Sequence, residues 1–431
     1  MNYIEFFKLA KEKNISNIQI VEKKTTDSSV ELINGKIESY NDYDNIDYEI
    51  KAEYNKKTVK IHTNYLDKNI INLIIFKCKN TDSVYEDEYL KNIANIEKNE
   101  EIEFEITKEI EILKNLDSYR KKYKDIDKLT TYFSETYSNT RIINSNGVDI
   151  STDSHLCAFM IKIIIKNKGK YTSYDEKVLS TDKKEIDFEK LTKEVIEKAL
   201  LNRHKEKIET RKYNIILDKR VASRIVNSFN DMLSASSIRN KISCLEDKLD
   251  KQLFSTKLNI IEDPTNKKYP GYRLFDNEGT KTEKKSIINK GKIKTYLYNI
   301  KEAKLVNKKS TGNGYESIST RNMYIIPGKL SEKELLEKLD NGIYIADYME
   351  SGGTSINSIN GDISLQIFGF LVENGKLKTG IEPSIMTTNI FELLTNIEEI
   401  ASNLQFTSTI SASPSILIRD ISIARWQIIK I

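Results

Sequence analysis

The sequence predicts an α+β protein with an N-terminal sheet-and-helix domain over residues 1–100, a middle α/β segment over 101–208 and a β-rich C-terminal domain over 209–431. Three observations lead there. At 431 residues the chain exceeds one ordinary core, so two or three domains are expected. Runs of alternating apolar and polar residues end repeatedly in Asn-Gly or other glycine turns, the pattern of antiparallel hairpins. Between them, apolar residues recur at three- and four-residue spacing over lengths that suit helices.

Taken in order, Ile4, Phe7, Leu9 and Ala10 predict a helix from Tyr3 to Lys13, with Asn14 at its end. Short strands follow from Asn17 to Val21 and from Ser28 to Ile33, the second closed by Asn34-Gly35 into Lys36 to Tyr40. Asp47 to Tyr54 and Lys57 to Asn64 continue the alternation around an Asn55-Lys56 turn, and Leu66 to Cys78 carries one apolar helical face. Val84 to Asn99 reads as a connector. A helix from Glu105 to Arg120 precedes strands at Lys128 to Ser138, Thr140 to Asn144 and Leu156 to Lys166. After a helix from Phe188 to Asn202, the charged segment His204 to Lys212 marks the main boundary. The second half opens with a strand, Tyr213 to Asp218, and a helix, Lys219 to Leu233. A strand at Lys257 to Asp263 stops before Pro264, which cannot continue a ladder. A hairpin turns at Lys290-Gly291-Lys292, and Ser331 with Glu334 forms a capping box for a helix to Asp340. Tyr344 to Gly375 reads as a meander punctuated by Gly352-Gly353, Asn360-Gly361 and Asn374-Gly375. A helix around Ile390 to Asn403 and a strand from Ser415 to Ile423 complete the chain.

Charge and composition exclude more than they select. The net charge of +4 is small against 68 basic and 64 acidic residues, so nothing predicts a nucleic-acid surface. Met1 to Ala10 mixes Glu5 and Lys8 into an amphipathic pattern, which is not a secretory leader, and no stretch approaches the roughly 20 apolar residues of a membrane span. Scattered Cys78, Cys157 and Cys244 form no CxxC and read as small core or surface residues in a reducing cytoplasm.

The common catalytic patterns are missing. A helical zinc site needs two histidines one turn apart with an acid, but His62, His155 and His204 are far from one another and read as ordinary strand or surface residues. There is no G-x-S-x-G and no phosphate loop, and Gly312-Asn313-Gly314 does not complete a dinucleotide fingerprint, so it reads first as a flexible turn. Glu262-Asp263 could serve as acid and base, yet their place before Pro264 suits a solvated turn. A metal held by Asp218, Asp231 or Glu262 would make this an independent peptidase of unfamiliar design. The open backbone at Gly352-Gly353-Thr354 could receive a ligand or extended peptide, although a tight turn explains the same residues.

Several segments in a fixed order carry a family resemblance. Ser236-Ser-Ile-Arg-Asn-Lys-Ile-Ser, Leu258-Asn-Ile-Ile-Glu-Asp-Pro, Asn289-Lys-Gly-Lys-Ile-Lys-Thr-Tyr-Leu-Tyr-Asn, Asn322-Met-Tyr-Ile-Ile-Pro-Gly and Asn360-Gly-Asp-Ile-Ser-Leu-Gln-Ile-Phe-Gly-Phe-Leu-Val-Glu-Asn-Gly are similar to motifs of the TldD/PmbA family, and Val30 to Tyr40 resembles its first hairpin. In that family the TldD branch is a metallopeptidase and the PmbA branch, also called TldE, is its partner. TldD-type chains carry a His-Glu-x-x-x-His motif on a helix and a cysteine near the C-terminus. The corresponding helix here reads Arg224-Ile-Val-Asn-Ser-Phe-Asn-Asp-Met-Leu, and the closing segment reads Ser408-Thr-Ile-Ser-Ala-Ser-Pro. The resemblance therefore implies a PmbA/TldE-like subunit with no metal or catalytic residue of its own, and zinc in a TldD-type partner. It also implies a cytoplasmic complex that holds an unfolded or extended peptide in a closed cavity. Gly352, Gly353, Thr354, Gly361 and Asp362 are the residues expected to line that cavity or a partner contact. A stand-alone regulatory protein and a homodimer are the alternatives.

Overall fold

The computed structural model describes residues 1–84, 94–95, 104–350 and 355–425. The first half is built on one seven-stranded sheet. Its strands are β1 (Ile15–Ile33), β2 (Lys36–Tyr54), β3 (Lys57–Thr63), β4 (Ala94–Asn95), β5 (Ile126–Asn144), β6 (Asp149–Asn167) and β7 (Lys170–Ser180). The order is β3-β2-β1-β5-β6-β4, with β7 also on β6. The β1–β2 hairpin turns at Asn34 and Gly35, both at positive φ (51° and 73°), as a tight primed turn requires.

Four of these strands run to 19 residues, longer than their alternation predicts. The pairs expected at Asn17 to Val21 and Ser28 to Ile33 are one strand, as are those at Lys128 to Ser138 and Thr140 to Asn144. The polar middle of β1 stays extended because it is held on both sides, pairing Glu22 with Tyr48 and Arg141, and Asp27 with Tyr43 and Thr136. The same β1–β5 ladder puts the segments on either side of residue 100 into one sheet. The connector expected over Val84 to Asn99 lies mostly outside the described residues.

Two pairs of helices cover the ends of this sheet. At one end α1 (Tyr3–Glu12) and α2 (Lys68–Lys79), capped by Asn2 and Asp67, bury Phe6, Ile70 and Ile74 against Ile18, Ile20 and Ile50. At the other, α3 (Thr107–Lys121) and α4 (Phe188–Leu201) bury Leu113, Leu116 and Val195 against Phe133 and Phe159.

The second half contains β8 (Lys205–Glu206), β9 (Arg211–Leu217), α5 (Lys219–Asn227), α6 (Phe229–Leu233), α7 (Ala235–Arg239), β10 (Ile260–Glu262), β11 (Lys285–Asn289), β12 (Lys292–Ile293), α8 (Ile300–Leu305), β13 (Met323–Ile325) and α9 (Glu332–Leu339). It continues through β14 (Gly342–Met349), β15 (Ser355–Ile356), β16 (Asp362–Glu373), β17 (Lys376–Ile381), β18 (Ser384–Asn389), α10 (Ile390–Thr395), β19 (Ile397–Ile400), β20 (Gln405–Phe406), β21 (Ser411–Ser413) and β22 (Ile416–Arg425). Within the nine-stranded sheet, β14, β9, β22, β18 and β16 pair in turn and β16 returns to β14, so these five strands close on themselves. The six-stranded sheet, β12-β11-β10-β13-β21-β20, packs beside this ring through a shared core that includes Ile215, Phe229, Ile260, Met323 and Ile367.

Two helices are shorter than their spacing predicts. The helix expected over Lys219 to Leu233 is divided at Ser228, whose hydroxyl donates to the Ile225 carbonyl at 2.7 Å. The helix expected to reach Asn403 stops at Thr395, because Ile397–Ile400 pairs with β22. The α9 capping box is present as its sequence predicts, with reciprocal Ser331 and Glu334 hydrogen bonds.

Candidate functional site

Strand β9 leads directly into α5, which Asp218 caps by accepting from the Arg220 amide at 2.8 Å. Val221, Ala222, Ile225 and Val226 turn into the core, so the helix presents the i, i+4 pair Ser223 and Asn227 to β21. There Ser411 Oγ donates to the Ser223 carbonyl at 3.0 Å and lies 3.5 Å from Asn227 Oδ1. Ser223 Oγ donates to the Arg220 carbonyl at 2.8 Å and lies 3.4 Å from Thr407 Oγ1. The fold thus joins the α5 helix to the closing segment, and at their contact stand hydroxyls and an amide. Such groups hold backbone and water well, but they supply neither thiolate nor imidazole to an ion. Tyr269, Tyr324 and Phe406 pack together beside this contact, against Ala158 and Leu179 of the long-strand sheet.

Behind α5 lies a buried ionic cluster spanning both halves. Lys198 of α4 contacts Glu176 of β7 at 2.8 Å and Asp218 at 4.0 Å, while Arg220 bonds Asp218, the Tyr174 hydroxyl and the Ala346 carbonyl. Tyr344 Oη donates to Asp218 Oδ2 at 2.5 Å and also contacts Glu332. Burial alone would favour a neutral Glu176, yet Lys198, Lys219 and Arg220 draw its carboxyl down to about 2. Burial likewise opposes the Lys198 charge, and Tyr174, Glu176 and Asp218 hold its pKa well above the ordinary value. Asp218 is thus committed to helix capping and ion pairing. Arg220 also borders a cleft of about 320 Å³ walled by Tyr171, Tyr174, Phe368 and Phe370.

The other acids considered from sequence have separate surroundings. Asp231 is exposed on α6. Glu262 and Asp263, expected in a solvated turn, are buried instead. Glu262 accepts from the Arg321 amide at 2.8 Å, from Asn313 at 2.9 Å and from Lys285 at 2.8 Å, because its short strand is central in a sheet. Gly312-Asn313-Gly314, expected as a flexible turn, is likewise fixed: Asn313 is fully buried, and the Gly314 amide donates to Asp276 at 2.8 Å. Burial and the neighbouring Glu278 charge push the Asp276 carboxyl up to about 7, against backbone hydrogen bonds that lower it.

Of the expected cavity residues, Gly352, Gly353 and Thr354 lie outside the described residues. Gly361 and Asp362 sit at the start of β16. The Gly361 carbonyl accepts from the Ile390 amide at 2.7 Å, and Asp362 accepts from Asn360 at 2.6 Å and Asn389 at 2.9 Å. These bonds seat the N-terminus of α10.

One grouping was missed. Glu135, His155 and Cys157 place a ligand atom each within 4.8 Å of one another. His155 bonds Glu135 through Nε2 at 2.9 Å and faces the Thr181 carbonyl through Nδ1 at 3.0 Å; the Glu135 hydrogen bond raises the imidazole pKa. Burial pushes the Cys157 thiol up to about 12. The signal available was the His-x-Cys spacing, which puts both side chains on one face of a strand. Among the described residues no helix is long and apolar enough to cross a membrane.

Residues 210–425 match the model of the PmbA/TldA metallopeptidase C-terminal domain, and residues 99–203 match that of the PmbA/TldA metallopeptidase central domain. Over 305 residues, 67% of each chain, the sequence is 27% identical to a metalloprotease PmbA homolog of Buchnera aphidicola subsp. Acyrthosiphon pisum. It is 28% identical over 218 residues to metalloprotease PmbA of Escherichia coli O157:H7, a match covering 51% of this chain and 47% of that relative. The chain thus spans about half to two-thirds of the length of these relatives. The fold is similar to the crystal structure of TldE from Thermococcus kodakarensis, with a TM-score of 0.86 at 16% identity, covering 98% of this chain and 99% of that one.

Proposed function

This chain belongs to the PmbA/TldD metallopeptidase family, and from that premise we propose that it is a PmbA/TldE-like subunit of a cytoplasmic, TldD-type metallopeptidase. The complex would act on unfolded or extended peptides. The observation that carries this reading is the α5–β21 contact, where the two segments that would bear the family's zinc ligands meet through Ser223, Asn227 and Ser411. A TldD-type subunit would then supply the zinc and the bond-breaking chemistry. This chain would contribute walls and partner contacts, with peptide gripped through backbone pairing to a sheet edge. Gly352, Gly353, Thr354, Gly361 and Asp362 are proposed to shape that cavity or the partner interface.

Complex formation tests the pairing. Size-exclusion chromatography of the purified chain mixed with a TldD-type subunit should give a stable complex of fixed ratio. Independent elution of both at micromolar concentration would contradict it.

A further inference from the structure

We propose that Glu135, His155 and Cys157 form a binding site for a divalent cation of the zinc class in the long-strand sheet, apart from the α5–β21 contact and independent of the subunit reading. The register makes the site. Glu135 on β5 pairs directly with Cys157 on β6, and His155 lies two residues along the same strand. The pleat therefore sends all three side chains to one face. Thiolate, imidazole and carboxylate are the donors that borderline divalent ions take, and zinc bonds of about 2.0–2.3 Å need only a small closure of three atoms already this near.

The surrounding groups orient the donors as metal sites require. His155 Nδ1 faces the Thr181 carbonyl at 3.0 Å, which fixes the proton there and aims Nε2 at the site. Glu135 divides its oxygens, with Oε1 toward His155 at 2.9 Å and Oε2 toward Lys183 at 3.1 Å. Lys183 also lies 3.5 Å from Glu109, so its charge is shared between two carboxylates. One Glu135 oxygen, Nε2 and the Cys157 sulfur are thereby presented together. Access is past His155, whose side chain is 29% exposed, whereas Cys157 is buried. Phe104 lies parallel to the imidazole, with the ring centroids 6.3 Å apart. Binding is a balanced exchange. The ion replaces the proton shared between Nε2 and the Glu135 carboxylate and the one on the thiol, both released to water, and a water molecule fills a fourth position.

An ion-pair network of purely structural purpose would bind no metal, which makes the two roles separable. The full chain, without a histidine tag and freed of metal with a chelator, is titrated with cobalt(II) and then zinc. We expect one cobalt per chain, a near-ultraviolet thiolate-to-cobalt charge-transfer band, and loss of that band on adding zinc. Cys157→Ser should abolish the band and weaken zinc binding more than about tenfold, whereas Cys78→Ser and Cys244→Ser leave both unchanged. Glu135→Gln, read in parallel with circular dichroism, should weaken zinc binding with the fold retained. Failure to bind cobalt, binding without the band, or binding indifferent to Cys157→Ser would overturn the site. None of these outcomes bears on complex formation with a TldD-type subunit, so the two readings fail separately.

Discussion

Tyr344 Oη lies 2.5 Å from Asp218 Oδ2, so a fully buried tyrosine of β14 secures the carboxylate that caps α5. Asp218 also meets Arg220 and Lys198, which ties the helix at the α5–β21 contact to the long-strand sheet. Tyr344→Phe removes the donor and keeps the ring. It should cost about 1–3 kcal/mol in urea unfolding, because the carboxylate stays buried with fewer partners.

Lys198→Met should be more damaging. It leaves Glu176 buried without its nearest cation, at a cost of about 3–5 kcal/mol. The double variant Lys198→Met/Glu176→Met removes both charges and should recover part of that loss. A double variant no more stable than the single would place the cost in packing.

The pH dependence follows from two carboxyls displaced in opposite directions. Glu176 is drawn down to about 2 from 4.5, so the native state binds fewer protons there than the unfolded chain. Its contribution is present above about pH 4.5 and is lost as pH falls toward 2. Asp276 is pushed up to about 7 from 3.8, so its contribution is present at low pH and is lost as pH rises to 7. Unfolding measured from pH 3 to 9 should show maximal stability in mildly acid solution. Asp276→Asn should flatten the decline between pH 5 and 7.

Gly361 has φ +82°, and a Cβ there would lie 2.8 Å from Ile390 Cγ2. Gly361→Ala should therefore destabilise the chain by about 1–3 kcal/mol, measured by thermal or urea unfolding. A neutral effect would mean that the turn before β16 relaxes freely.

Much of this fold was legible wherever local chemistry decides structure. The Asn34-Gly35 hairpin, the helix capped by Ser331, and the strand leading into Asp218 all follow from short-range patterns. The rest depends on partners distant in sequence. The polar middle of β1 is extended because β2 and β5 flank it, and β7 was not read at all, since Lys170–Ser180 gains its strand character from pairing with β6. Glu262 looked solvated because Lys285, Asn313 and Arg321, its partners, are 23 to 59 residues away. The meeting of Ser223 with Ser411, separated by 188 residues, came into view only through the fold.

Peptide cleavage tests the central claim most directly. An unstructured peptide is incubated with this chain alone, with a TldD-type subunit alone and with both, with cleavage followed by mass spectrometry. The account predicts no cleavage by this chain alone and cleavage by the mixture, abolished when the histidines of the TldD-type subunit's metal motif are replaced. Cleavage by this chain alone, retained when no partner is present, would contradict it.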